Sequence, residues 1–373
     1  MIYLDYAANT PVDEEVLHIY CEECKQALAN PNAKHRLGTE AKERMEGITA
    51  DIAELLKVKS SQIIFTSGAS EANNLAIKGL VYANRQNGKH IISTCLEHPS
   101  VSGALTYLQT QGYEIDLVEL TKEGLIDLTH LRELLRKDTI LVSVCAVDSE
   151  LGIRQQIADL LELLKEYPNC RFHTDATQAI GKIEFNLGDV DCITFAPHKF
   201  YGLNSSGFLI KKESIVLEPL IHGGSSTTLY RSGTPDLAMA AAAHKALELA
   251  LGKLEERYVY ITGLNKLLKQ SLSSYQKVRI NSTGASIPHI LNLSVQGVKA
   301  VQFTQALEEE GICVSVKSAC SVLNSPSRPV YAITKDKKNA MSSWRISLSH
   351  LTTEEEITGF LKAFDSCYQK LAG

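Results

Sequence analysis

The sequence predicts an α/β protein with a largely parallel central sheet, followed by a smaller α+β unit. Three observations carry this expectation. Short apolar, β-branched runs alternate with amphipathic stretches of helical period over the first two thirds of the chain. That alternation is the pattern of parallel strands joined by crossover helices. Residues able to do chemistry stand just past the ends of the expected strands, at Glu97-His98, Asp148-Ser149, Asp175 and His198-Lys199, where ligands bind in such sheets. Beyond Pro235 the character changes to long helices and a few separate strands.

In chain order, residues 3–11 form an extended lead-in to a helix, and 30–38 a polar loop before a helix reaching about Leu56. Gln62 to Ser67 reads as a strand ending in the turn Gly68-Ala69-Ser70-Glu71. Ala72, Leu75, Ala76, Gly79, Leu80 and Ala83 then recur at helical spacing, with Ser70 at the expected N-cap. A strand, a glycine turn and a helix start together present free N–H groups to an anion. Strands follow at His90–Thr94, Glu114–Leu120 and Thr139–Val147, and helices at Val101–Gln111, Leu128–Arg136 and Gln156–Glu166. Further strands end at Asp175 and Phe195, and Gly207–Lys211 adds another. Helices are expected at Leu237–Leu254 and Tyr258–Leu272. A strand at Ile290–Ser294, a helix at Val301–Glu310 and strands at Ile312–Val316 and Trp344–Leu348 follow. A final helix starts at about Glu354, with Thr353 and Glu356 as a capping box. The expected division is a large domain over 14–250 and a small domain made of 1–13 and 251–373.

The chain has 373 residues, enough for a large core. It is 44% hydrophobic and 22% charged, ordinary for a soluble protein. A net charge of -5 implies no strong attraction to nucleic acid or anionic membrane. No apolar run reaches membrane-spanning length, and the start resembles no signal peptide, so a cytoplasmic location is expected. Nine cysteines are scattered along the chain. Those in strand-like runs, Cys145, Cys192 and Cys313, read as small core hydrophobes. Cys21-Glu-Glu-Cys24 lacks the second pair or nearby His of a zinc site and reads as two positions on one helix turn.

Lys199 stands in Thr194-Phe-Ala-Pro-His-Lys-Phe-Tyr-Gly202, between apolar and aromatic neighbours at a strand end. A desolvated amine there is a nucleophile toward an aldehyde, although a lysine snorkelling from a strand end has the same sequence appearance. Asp175, one strand earlier in Arg171-Phe-His-Thr-Asp-Ala-Thr-Gln178, favours the first reading. A pyridoxal phosphate enzyme needs this pair, a lysine for the cofactor's aldehyde and a carboxylate that keeps its pyridine nitrogen protonated.

The sequence resembles the cysteine desulfurases among the class V aminotransferases, which are fold-type I pyridoxal phosphate enzymes. The resemblance rests on YLDYAANTPV, NPNAKHRLG, FTSGASEANNLAIKG, EHPSV, HTDATQAIGK, HK-x-YG, RSGT, KSAC and WRISL followed by TTEEE, in order from Tyr3 to about Glu356. It implies pyridoxal 5'-phosphate as cofactor, with Lys199 bonding its aldehyde, Asp175 on the pyridinium, and His98 stacked on the ring and placed to shuttle protons. Gln178 matches the donor to the phenolic oxygen. Ala69, Ser70 and His198 match the phosphate cradle, and Thr234 the phosphate ligand given by the other subunit of a homodimer. Arg345 matches the arginine for the substrate carboxylate, a task suited to a bidentate guanidinium, and Ser149 lies where cofactor ring and substrate carboxylate are contacted. Cys320 matches the nucleophile that takes sulfur from L-cysteine, leaving alanine and a persulfide for an acceptor protein of iron–sulfur assembly or tRNA thiolation. No metal is implied.

The chain departs from the family pattern at several places. Ala196 stands where a serine phosphate ligand is usual, and Asp148-Ser149-Glu150 where Asn-Asn-Glu is usual. Ser225 to Tyr230 lacks a Glu-Arg-Gly element, and Lys317 replaces a glycine before Ser-Ala-Cys. A cation at Lys317 is expected to lower a neighbouring thiol's pKa. Three function classes therefore remain: a cysteine desulfurase, another class V enzyme such as a selenocysteine lyase or aminotransferase, and a degenerate homologue that binds a partner. Cys320 argues against a plain aminotransferase, which needs no thiol.

Overall fold

A computed structural model describes residues 1–26, 28–224, 226–317 and 325–373. Strands form at Ile2–Tyr3 (β1), Ile63–Thr66 (β2), His90–Ser93 (β3), Glu114–Leu117 (β4), Thr139–Ser143 (β5) and Arg171–Asp175 (β6). They continue at Cys192–Phe195 (β7), Gly207–Lys211 (β8), Val278–Ile280 (β9), Ile290–Val295 (β10), Ile312–Cys313 (β11) and Ser343–Ser347 (β12). Among the described residues β2-β8-β7-β6-β5-β3-β4 make one seven-stranded sheet. Its neighbours pair parallel except at β8, which runs antiparallel to both β2 and β7. β3, β5, β7 and β8 are buried along their whole length, which is why they read as continuous apolar runs without alternation. The expected largely parallel α/β architecture is what the chain adopts.

The crossover helices cover this sheet. Helix Ala69–Ala83 buries Ala72, Leu75, Ala76, Gly79 and Leu80 as its spacing requires. Leu237–Gly252 buries a continuous alanine face, with Ala240, Ala243, Ala246 and Ala250 in the core beneath β7. A second core joins Leu4, Leu264, Leu268, Leu293, Phe303, Trp344 and Phe364. It lies on the antiparallel sheet β12-β10-β9, and β1 joins it by pairing parallel with β11. The last helix, Glu354–Leu371, begins with the expected capping box of Thr353 and Glu356.

Three local expectations need correction. Ser70 is not the N-cap; Gly68 is, and Ser70 lies inside the first turn of the helix. The Glu71 carboxylate accepts from the Ser67 N–H at 2.8 Å and so satisfies the approach to the helix from the other direction. The run Thr139–Val147 keeps strand form only to Ser143; Val144 and Ala146 still bond the β6 carbonyls of His173 and Asp175, on alternate residues of an irregular segment. The run Ile312–Val316 is a strand only at Ile312–Cys313, because Ser315 turns to bridge Arg345. Cys21 and Cys24 lie on helix Glu14–Gln26 as expected, both exposed.

Candidate active site

A cavity of about 420 Å³ opens where the parallel strands end. The segment after β2 brings Ser67 to Glu71; that after β3 brings Leu96 and His98; that after β5 brings Cys145 and Val147 to Ser149. Asp175, Thr177 and Gln178 come from β6, His198 and Lys199 from the turn after β7, Arg345 from β12, and Ala7 and Ala8 from the N-terminal segment. Each expected residue except Thr234 and Cys320 thus lines one cavity. Thr234 is exposed and away from the lining. Cys320 lies outside the described residues.

Local structure fixes the polar groups. Asp175 ends β6, where its Oδ1 accepts from the Thr177 N–H at 2.9 Å and its Oδ2 from the Asn73 amide at 2.8 Å. Asn73 is fully buried, donates also to Ser100, and accepts from the Thr194 hydroxyl through its Oδ1. His98 caps helix Pro99–Thr110 by accepting the Ser100 N–H on Nδ1 at 3.2 Å. A neutral ring therefore carries its proton on Nε2. Burial lowers the His98 pKa, Asp175 opposes and Lys199 adds to that shift, so the ring is neutral near pH 7. Burial, then Lys199, Lys182 and His98, push His198 down to about 4.

Lys199 follows β7 in the short turn Pro197–Lys199. Its Nζ donates to the Ala7 carbonyl at 3.0 Å and to the Ala8 carbonyl. Gln178 donates to the same Ala7 carbonyl at 2.9 Å and accepts from Lys182. Arg345 is 1% exposed. Its Nη2 pairs with Asp5 at 2.7 Å and its Nη1 donates to the Ser149 carbonyl at 2.6 Å. Its Nε has no hydrogen-bond partner among the described residues. Asp148 accepts the N–H groups of Glu150, Leu151 and Ile153 and so folds the turn that presents Ser149. Burial nevertheless raises its pKa. Lys317 is drawn to Ser325, donating to its carbonyl and to its hydroxyl at 2.9 Å, so the two ends of the Cys320 segment are clasped together.

Several residues of the site escaped the sequence reading. Asn73 had a signal, an amide on the buried face of an otherwise apolar helix. Cys145 read as core; it is buried, yet lines the cavity. Beside it, Glu97 accepts the Cys145 N–H and the Thr94 hydroxyl on Oε1, and burial pushes its carboxyl up to about 8. Glu71 joins the lining and pairs with Arg231 at 2.9 Å, which anchors the Arg-Ser-Gly-Thr segment to this rim. Gly207 permits β8 to pass the turn after β2; a Cβ there would stand 2.4 Å from the Gly68 carbonyl carbon. Nothing in a single sequence announces that contact.

The donor set fits pyridoxal 5'-phosphate. The cavity has the volume of a small-molecule site, a buried carboxylate for a ring nitrogen, an amine for an aldehyde and a helix start for a phosphate. The Thr177 hydroxyl is buried without a hydrogen-bond partner among the described residues, a donor a ligand would use.

Comparison with known proteins agrees with this geometry. The family model described as Aminotransferase class-V matches residues 2–360. The cysteine desulfurase IscS of Dictyoglomus turgidum is 35% identical, over 99% of this chain and 95% of its own. That of Pseudoalteromonas translucida is 37% identical, over 95% of this chain and 90% of its own. Among solved structures a NifS-like protein superposes with a TM-score of 0.93 at 31% identity, covering 99% of this chain and 100% of its own. SspA in complex with cysteine superposes with a TM-score of 0.82 at 28% identity, covering 95% of this chain and 100% of its own. The chain therefore belongs to the class V aminotransferase family and, within it, to the cysteine desulfurases.

Proposed function

We propose that this chain removes sulfur from L-cysteine, releases L-alanine and carries the sulfur as a persulfide on Cys320 to an acceptor protein of iron–sulfur assembly or tRNA thiolation. The observation that carries the reading is the convergence of Lys199, Asp175, His98 and Arg345 on one cavity from four separate parts of the chain. The atoms balance: the substrate's Cβ–S bond breaks, a bond forms between that sulfur and Cys320 Sγ, and alanine leaves with the carbon skeleton intact. Bound pyridoxal 5'-phosphate would supply the electron sink for bonds at the substrate Cα.

The remaining roles belong to the chain. Lys199 holds the cofactor and moves the Cα proton, which its amine does only after leaving the Ala7 and Ala8 carbonyls. Asp175 keeps a proton on the cofactor's ring nitrogen, held in place by Asn73 and Thr177. His98 covers the ring as a neutral imidazole. Gln178 reaches the phenolic oxygen, and Ala69, Ser70 and His198 hold the phosphate. Arg345 receives the substrate carboxylate, already aimed by Asp5 and by the Ser149 carbonyl. Thr234 completes the phosphate site of a second subunit. We assign the cofactor-holding domain to 14–250 and the small domain to 1–13 with 251–373; Leu4 packing in the core of Trp344 and Phe364 supports the N-terminal part of that division.

The test is Lys199→Ala. Borohydride reduction of the wild-type holoenzyme should fix the cofactor on the Lys199 peptide, and L-cysteine should yield alanine. The variant should lose the visible absorption band, the fixed cofactor and turnover together. An unchanged spectrum in the variant overturns the assignment of Lys199.

A further inference from the structure

A second cavity, of about 20 Å³, shares Ala7 and Lys199 with the active-site cavity. Its wall includes Lys182, Lys199, Tyr201, Arg257, His289 and His350, and no carboxylate lines it among the described residues. Five bases around so small a space require an explanation, because buried charges are ordinarily paired.

Several of these groups are deeply buried and lack partners. His289 is 6% exposed and Arg257 9% exposed. Nδ1 of His289, Nδ1 of His350 and Nε of Arg257 have no hydrogen-bond partner among the described residues. An unsatisfied buried polar group is costly, so three around one void call for a shared ligand. The other wall groups are held in place. The Arg257 guanidinium lies 5.4 Å from the centre of the Tyr201 ring, and that ring meets His350 edge-on at 4.5 Å. The Tyr201 hydroxyl is 2.5 Å from Ser349 Oγ.

We propose that this cavity binds one small monovalent anion of the halide class, chloride in the cell, held by Arg257, His289 and His350 beside Lys182 and Lys199. Its size selects the ligand: one water needs roughly 10–15 Å³ of such space, and the cavity offers about 20 Å³. A halide ion fits, whereas a phosphate or an organic carboxylate does not. The donors select it too. A water brings two protons of its own into a wall rich in donors, whereas a halide accepts from every one of them. As imidazolium, each histidine donates from both ring nitrogens.

The electrostatics set the pH dependence, because burial also lowers Lys182 and keeps the wall short of charge until an anion enters. Burial, then Lys182 and His350, push His289 down to about 3. Burial and Arg257 push His350 down to about 4, with Lys253 adding to the shift and Asp13 opposing it from outside the lining. Asp13 and Glu256 act on Arg257 in the same way. An anion among these groups favours their charged forms, so its binding takes up protons and its affinity rises as pH falls toward 5. The site also communicates with the active centre. Lys182 donates to Gln178, and Gln178 and Lys199 share the Ala7 carbonyl.

The experiment uses holoenzyme purified without halide. Bromide-soaked crystals should show an anomalous peak between Arg257, His289 and His350. In solution, chloride should give an excess ³⁵Cl line width that titrates with the protein, tightening from pH 8 to pH 5. Arg257→Met and His289→Phe, each checked for native circular dichroism and cofactor content, should weaken halide binding by about tenfold or more, as the loss of one charge-assisted hydrogen bond predicts. A cavity with water density and no anomalous signal overturns the proposal. So does chloride broadening that ignores pH or is the same in folded variants. If neither variant folds, the wild-type bromide map decides. None of these readouts uses desulfuration, so the proposal stands or falls apart from the function assigned above.

Discussion

Asp175 and Glu97 are both buried carboxyls close to the cofactor cavity, and they differ in their hydrogen bonds. Asp175 receives an N–H and an amide. Glu97 has an Oε2 with no partner among the described residues, and burial pushes it up to about 8. An unfolded glutamate ionises near 4.3. Between these pH values the folded protein keeps a proton that the unfolded chain has released, so stability falls as pH rises from about 4.3 toward 8. Glu97→Gln cannot ionise. Its unfolding free energy should match wild type near pH 4 and exceed it by roughly 2–5 kcal/mol at pH 8, read by urea titration at both pH values. A difference that stays constant with pH contradicts the assignment. At this scale the sequence was most legible where one residue type has one purpose, as with Lys199 beyond an apolar strand. It was least legible where a role depends on distant partners. Glu97 stands past a strand end beside His98, but nothing local shows that it is buried with one carboxyl oxygen unpartnered among the described residues.

Among the elements, strands and helices followed from periodicity because burial enforces it. Helix Ala69–Ala83 and the capped Glu354–Leu371 lie where spacing and Thr353 place them. Errors came at ends, where hydrogen bonding rather than burial decides. Ser70 reads as an N-cap because serine favours that position, but Gly68 takes it at a φ of 154° that side chains rarely adopt, and its backbone lies so close to β8 that Gly207 has no room for a Cβ. Gly207→Ala tests this. Its Cβ would meet the Gly68 carbonyl carbon at 2.4 Å and Cα at 2.6 Å, so the turn must move. We expect a loss of roughly 1–3 kcal/mol and weaker cofactor retention on gel filtration. Gly47→Ala, in helix Arg36–Leu56 with nothing within 4 Å, is the control; it should leave cofactor retention unchanged and gain up to about 1 kcal/mol. Equal effects of the two substitutions would contradict the close-approach argument.

For the whole molecule, the sheet order and the second core bring Asp5, Arg345 and Ser149, far apart in sequence, within hydrogen-bonding distance. No local pattern reveals that convergence; family likeness pointed to Arg345 and Ser149, and Asp5 emerged only from the structure. The same likeness assigns Thr234 to a neighbour's cofactor, and its exposure away from its own cavity is consistent with that. We therefore expect a homodimer with shared sites, whose specific activity falls on dilution as monomer appears by analytical ultracentrifugation. A monomer that keeps full activity would refute it. The central claim is that Lys199 and Asp175 open the substrate while Cys320 takes its sulfur. The most direct measurement is mass spectrometry of the holoenzyme after limiting L-cysteine, beside Cys320→Ser. The account predicts one added sulfur on the Cys320 peptide, removable by a thiol reductant. In Cys320→Ser it predicts bound cofactor, a retained spectral response to L-cysteine and almost no sulfide. Sulfur found on another cysteine, or wild-type sulfide release by Cys320→Ser, would contradict it.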